Sequence, residues 1–249
     1  MSLQRGFSLV ELMVALVAGL VVTTAVVAFT LSTMKSNGEY IQATRVTQEL
    51  RNTLNLVTRE LRRAGYDETS MGLLGKGSGS PFAHLLLDNP VTVSGDDYAT
   101  CVVYAYDRAD GTAGSRDVDR GEVRAIRWMV RDAGNGSVGV MEFAESADGT
   151  TPECDGDSPD YTQYPVACND DSHWCALSDP KVLEISQFLI HDDTQILGTG
   201  TSQISMRDLS VTLRGRNVGT TDTERTVQSN VRVRTDCFDP TITNCEQSP

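Results

Sequence analysis

The stretch Gly6-Phe7-Ser8-Leu9-Val10-Glu11-Leu12 decides how the chain is built. It opens an apolar run that reaches Met34, and Leu12 to Met34 is a span of 23 residues without a charge. About 20 apolar residues suffice for a helix to cross a bilayer, and Lys35 closes the run. A removable secretory signal has a shorter apolar core and a small-residue cleavage site at its far end. Here Phe29-Thr30-Leu31-Ser32-Thr33-Met34 runs directly into further helix-like sequence, which predicts a membrane helix that is kept. Arg5, the one basic residue before the run, favours a cytoplasmic N-terminus and sends the rest of the chain to the other side. Glu11 is out of place in such a segment. A carboxylate at mid-bilayer costs about 2.5–3.5 kcal/mol on insertion scales and less near the interface. Taken alone, it reads as a membrane-edge acid whose side chain reaches the headgroups.

The helix pattern continues past the membrane. After a weak point at Ser36-Asn37-Gly38, apolar residues recur at Ala43, Val46, Leu50, Leu54 (or Thr53), Val57, Leu61 and Ala64. Spacings of three and four mark one face of an amphipathic helix. The opposite face carries Arg45, Glu49, Arg51, Arg59, Arg62 and Arg63, and Gly65 is placed to cap the C-terminus. With no proline from Phe7 to Gly65, the helix is expected to run roughly 85–90 Å at 1.5 Å per residue. The residues alone also allow the second half to be a juxtamembrane coiled-coil seam, which would dimerise instead of being covered by its own chain.

A short leader ending in glycine, then Phe7, an apolar run and an acid at Glu11 resemble the processing and assembly signal of type IV prepilins and type II secretion pseudopilins. Leu61-Arg62-Arg63-Ala64-Gly65-Tyr66 is similar to the helix end of minor pilins of the PilW kind and of J-type pseudopilins. The resemblance covers residues 1 to about 66 specifically and the remainder only in general layout. It implies cleavage after Gly6, N-methylation of Phe7, and pairing of the new amine with Glu11, usually between neighbouring subunits. Such a pairing in low dielectric would set register, because an unpaired charge there is costly. The chain departs from many major pilins in lacking a proline in the membrane half, where it has Gly19.

The domain organisation expected is a leader over 1–6, a transmembrane and filament-core helix half over 7–35, an amphipathic helix half over 36–66, and an extracytoplasmic β-rich head over 67–249. Net charge divides unevenly, +3 over residues 1–66 and −16 over residues 67–249. Phosphate binding relies on clustered Lys and Arg, so no direct nucleic-acid ligand is expected of the acidic head. Strands are predicted at 99–106, 122–131, 137–143, 181–190, 203–213 and 226–234. Strict alternation in Leu209-Ser210-Val211-Thr212-Leu213 and Val231-Arg232-Val233-Arg234 marks sheet with one wet face. Glycine- and aspartate-rich loops fall at 71–81, 107–121, 145–165, 191–202 and 215–223. The fold class is α+β, a pilin-like fold with antiparallel sheet on the exposed half of a long N-terminal helix.

Six cysteines without a CxxC pair fit an oxidising compartment. Fifteen pairings are open to them in principle. By the habit of pilins of stapling the C-terminal region, Cys237 is expected with Cys245. Cys168 with Cys175 is a second local pair that leaves Cys101 with Cys154, and swaps among those four are nearly as acceptable. A zinc site is disfavoured by the spacings, with only His173 close by. Asp110, Asp117, Asp119 and Glu122, and separately Asp155, Asp157 and Asp160, invite a calcium reading, but neither stretch has the EF-hand ligand pattern. Solvated loop acids are the plainer account.

No catalytic constellation stands out. Gly75-Lys76-Gly77-Ser78 lacks the upstream glycine of a phosphate loop, where Ser70 stands, and Gly77 occupies its Ser/Thr position. His84, His173 and His191 are scattered, and no serine has a nucleophile-elbow context. Trp128 and Trp174 read as core or loop anchors. Neither an enzyme nor a cofactor is expected. The resemblance implies a minor pilin of the PilW kind that helps prime pilus assembly and forms part of the tip complex. Its implied partners are other minor and major pilins, the prepilin peptidase, the inner-membrane assembly platform and a tip adhesin, and its implied location is the inner membrane and then the pilus, periplasm or cell surface. The alternatives are a J-type pseudopilin of type II secretion or, in a different class, a permanently anchored single-pass periplasmic receptor.

Overall fold

The computed structural model describes residues 8–68, 80, 82, 85–108, 118–134, 136–197, 204–218 and 224–233. The chain divides into two compact units, Met1–Arg45 and Val46–Pro249. One helix, α1 (Leu9–Leu61), runs through the boundary without a break, Ser36-Asn37-Gly38 included. No proline removes a backbone donor, and the hydroxyls of Thr23, Thr24, Thr30 and Thr33 bond back to carbonyls three or four residues earlier, so the apolar segment carries satisfied polar groups.

The sequence pattern runs the helix to Tyr66, but α1 ends at Leu61. Arg63 N donates to Glu60 O and Ala64 N to Leu61 O, a tightening to i→i+3 bonds. Gly65 then takes φ 77°, a left-handed conformation that glycine adopts without steric cost. Its N–H donates to Ala105 O at 2.8 Å, which ties the helix exit to the sheet.

The described residues of the second unit form ten strands: β1 (Leu85–Val93), β2 (Asp96–Ala105), β3 (Val123–Asp132), β4 (Ser137–Glu145), β5 (Trp174–Ala176), β6 (Leu183–Asp192), β7 (Gln195–Leu197), β8 (Ile204–Met206), β9 (Asp208–Asn217) and β10 (Arg225–Arg232). Eight form one antiparallel sheet in the order β10-β9-β6-β2-β3-β4-β5, with β1 paired to β2, while β7 and β8 form a separate ribbon. Ser94 (φ 57°) and Gly95 (φ 100°) make the β1–β2 turn, the two-residue hairpin that requires positive φ at both positions.

β2 is buried from Ala99 to Ala105 and, Thr100 apart, carries hydrophobic side chains there because both of its faces are covered. Val102 and Tyr104 join Ile126, Met141, Ile185, Phe188, Val211 and Leu213 in a core completed by Val46, Leu50, Leu54, Val57 and Leu61 of α1. The amphipathic stripe read from the sequence is thus covered by the chain's own sheet. Cys101, Val103 and Ala105 face the other way, with Phe82, Ala125, Ala144 and Trp174.

β2 changes partner along its length. It pairs β3 as far as Cys101↔Arg127 and then β6 at Ala99↔Ile190. Beyond that handover β4 approaches β6. An added Cβ on Gly139 would lie 2.0 Å from Ile185 O, and Trp128 Nε1 donates to the same carbonyl at 2.8 Å. The β6–β9 register shifts between Ile185 and Gln187, which marks an irregularity at this crossing.

Candidate processing and assembly site

The described chain starts at Ser8, so Gly6 and Phe7 lie outside the described residues. Glu11 occupies the first turn of α1. Leu12 N donates to Ser8 O at 3.2 Å, and Ser8 N donates to Glu11 Oε2 at 3.0 Å. Ser8-Leu9-Val10-Glu11 is therefore an S-x-x-E sequence with the glutamate half of a capping box formed. The carboxylate also sits where the helix dipole favours negative charge. The acid that looks anomalous in an apolar run has a local structural reason to be there.

From Leu9 to Met34 the large apolar side chains are exposed, and the helix has one stretch long and apolar enough to cross a membrane. Past Arg45 the pattern inverts, with Val46, Leu50, Val57 and Leu61 fully covered. The arginines expected on the other face, Arg45, Arg51, Arg59, Arg62 and Arg63, are exposed. Glu60 is buried instead, and its carboxylate receives Arg124 Nη1 at 3.2 Å and Arg63 Nη1 at 3.4 Å. That ion pair couples the last turn of α1 to β3. Beside it the Tyr104 hydroxyl is buried without a hydrogen-bond partner, and burial followed by the Glu60 charge raises its pKa well above the ordinary phenol value.

The head carries a second polar centre that the sequence pattern does not single out. Arg127 and Glu142 face each other in the β3–β4 register, both inaccessible to solvent. Arg127 Nε donates to Glu142 Oε2 at 2.7 Å, Nη1 donates to the carbonyls of Cys154 and Gly156 at 2.8 Å, and Nη2 donates to Ser158 Oγ at 2.9 Å. Its guanidinium lies 3.8 Å from the Trp174 ring centroid. Glu142 also accepts from Ser158 Oγ and Tyr161 Oη. Burial lowers the Arg127 pKa while Glu142 opposes the shift, and burial together with the Glu142 charge raises that of Tyr161. Only an arginine sharing a strand face with Val123, Ala125 and Met129 could have marked it.

This centre fixes an acidic loop region. Disulfides join Cys101 to Cys154 and Cys168 to Cys175, while Cys237 and Cys245 lie outside the described residues. Asn169 Nδ2 donates to Ser158 O, and Ser172 Oγ to Asp157 O. From Asp132 to Pro180 the chain contains no lysine or arginine. Among the described residues no three Asp, Glu, His or Cys side chains gather as a metal group. Asp110 and Asp117 of the first calcium candidate, His84, and the Gly75–Ser78 loop lie outside the described residues. His173 is in the acidic loops and His191 rests against Tyr98, far from it in the sheet order.

No curated protein and no solved structure matches the chain. Residues 1–27 match the prokaryotic N-terminal methylation motif, and residues 39–233 match the model of prepilin peptidase-dependent protein B. The first match spans the Ser8–Glu11 turn and most of the apolar segment, and the second spans the helix half under the sheet together with the head. The chain, a type IV prepilin-like subunit, belongs to the prepilin peptidase-dependent protein B family.

Proposed function

We propose that this subunit is a minor pilin of the PilW kind that helps prime type IV pilus assembly and takes a place in the tip complex. The observation that carries the reading is the coincidence of the methylation motif with Glu11 in the first helical turn, at the edge of an apolar helix. Residues 1–6 serve as the leader, 7–35 as membrane anchor and then filament core, 36–66 as the amphipathic half, and 67–249 as the extracytoplasmic head. Cleavage follows Gly6, methylation falls on Phe7, and Glu11 leaves the Ser8 amide to pair with the new N-terminus of a neighbour. The N-terminus faces the cytoplasm in the inner membrane before assembly. Other pilins, the prepilin peptidase, the assembly platform and a tip adhesin are its partners, and its work is binding and geometry rather than catalysis.

The N-terminal mass of the membrane-expressed chain, with and without a prepilin peptidase, tests this. A mature chain beginning at N-methylated Phe7 only when the peptidase is present is the expected result. An intact start in both cases would leave a permanent anchor and a receptor-like head. Glu11→Ala is expected to mature normally yet to be depleted at least tenfold from sheared filaments. Wild-type levels there would remove the proposed role of the acid.

A further inference from the structure

The handover of β2 from β3 to β6 leaves β3 half-paired. Tyr106 N donates to Glu122 O and Ser146 N to Val123 O, so even-numbered residues of β3 address β2 and odd-numbered ones address β4. The β4 ladder runs through Asp132, whereas the β2 ladder stops at Arg127. Val130 and Asp132 therefore turn their N–H and C=O groups to an edge on which no described strand pairs. Most sheet edges are short, charged or covered. This one opens into a groove of about 960 Å³ lined by Pro90, Val91, Trp128, Met129 and Val130, with Asp155 and Asp157 among its polar residues. Ligand clefts span about 300–1,000 Å³. Val130 is 52 % exposed, a large apolar side chain left uncovered on a strand.

The groove is pre-formed. The Cys101–Cys154 disulfide and the Arg127 bonds to Cys154 O and Gly156 O hold its loop wall, and Thr100 Oγ1 donates to Asn89 O at the opposite wall. Among the described residues that line it the one cation, Arg131, is already engaged with Ser158 and lies 3.9 Å from Glu142. The wall belongs to the region without lysine or arginine. A rigid, acid-rimmed channel beside an unpaired strand edge suits an extended chain that supplies backbone partners and positive charge.

We propose that this groove binds an extended, lysine- or arginine-bearing segment of a partner protein by strand addition to the open edge of β3. The backbone of the guest pairs with Val130, its apolar side chains rest on Val91 and Trp128, and its cations meet Asp155 and Asp157. This use of the head does not depend on the filament reading, because it needs neither leader cleavage nor the Glu11 pairing.

The test uses the full chain in zwitterionic nanodiscs and three capped eight-residue peptides. One alternates valine and lysine, the second has the same sequence with alternate backbone amides N-methylated, and the third alternates valine and glutamate. The valine–lysine peptide is expected to bind and to slow hydrogen exchange of the Val130 amide at least tenfold. The N-methylated peptide, equal in charge, should bind at least tenfold more weakly, and the glutamate peptide should not bind. Val130→Pro removes an N–H that the β4 ladder does not use and should abolish binding. Should that variant misfold, the peptide comparison and the exchange of the wild-type amide decide. Equal binding of the N-methylated peptide, unchanged Val130 exchange, or no binding of the valine–lysine peptide would each overturn the proposal.

Discussion

Arg127 Nε and Glu142 Oε2 lie 2.7 Å apart in the interior of the head, with neither side chain reachable by water. Removing one partner of a buried ion pair leaves an uncompensated charge and costs about 3–5 kcal/mol, whereas replacing both with apolar residues can be close to neutral. Arg127→Met is therefore expected to destabilise the head by about that amount, read from denaturant unfolding of the chain in nanodiscs. The double variant with Glu142→Leu should recover part of the loss. It will not recover all, because Cys154 O and Gly156 O also lose their donor.

Gly139 offers a sharper steric test. A methyl group there meets a backbone carbonyl, and overpacking of this kind costs about 1–3 kcal/mol. Gly139→Ala should lower the melting temperature, with loss of the Trp128 Nε1 bond to Ile185 O as its signature in the indole NMR resonance. Gly19 has nothing within 4 Å of an added Cβ. In a helix interior, Gly19→Ala should be neutral or stabilise by up to about 1 kcal/mol.

Tyr104 and Tyr161 make the head sensitive to alkali. The pKa of each is raised in the folded state, chiefly by burial. Below the ordinary phenol pKa of about 10 their contribution to stability is fully present. Above it the unfolded chain releases these protons while the folded chain keeps them, so stability falls as pH rises. Thermal melts between pH 9 and pH 11.5 should show that fall, and Tyr161→Phe should make it shallower.

The Cys101–Cys154 bond closes a long loop, with a sequence separation of 53. Replacing both cysteines with serine should cost about 2–5 kcal/mol. The loss should concentrate in faster hydrogen exchange over residues 153–161, where Arg127 and the disulfide hold the same segment.

The helix and six of the strands were legible because their patterns are strong: an uncharged run, a three-and-four stripe ending at Ala64, and alternation in β9 and at 231–234. β1 escaped notice for a physical reason. Asp88-Asn89-Pro90 reads as a chain breaker, yet β1 pairs only with β2, so its other edge needs no ladder donor and Pro90 is tolerated. Asn89 adopts φ 53° there, at the point where the register skips it. β5 and β7 have three residues each, too few to show a period, and the single strand expected over 203–213 divides at Arg207 into β8, which pairs with β7, and β9, which joins the main sheet. Glu60 belongs to neither face marked by the helix spacing, and Arg127 shares a face with Val123, Ala125 and Met129; charge alone does not say whether a partner waits across the interface. The half-paired edge of β3 lay further out of reach, since it arises where three strands meet and no single segment encodes it.

The stretch without lysine or arginine also has an analytical consequence. Trypsin finds no site between Arg131 and Lys181, so this region leaves an unreduced digest as one piece, Asp132–Lys181, with the Cys168–Cys175 link internal to it. Cys154 holds that piece to Gly77–Arg108, the tryptic fragment containing Cys101. One mass, and its division on reduction, reports in protein taken directly from cells that Cys101 is joined to this piece.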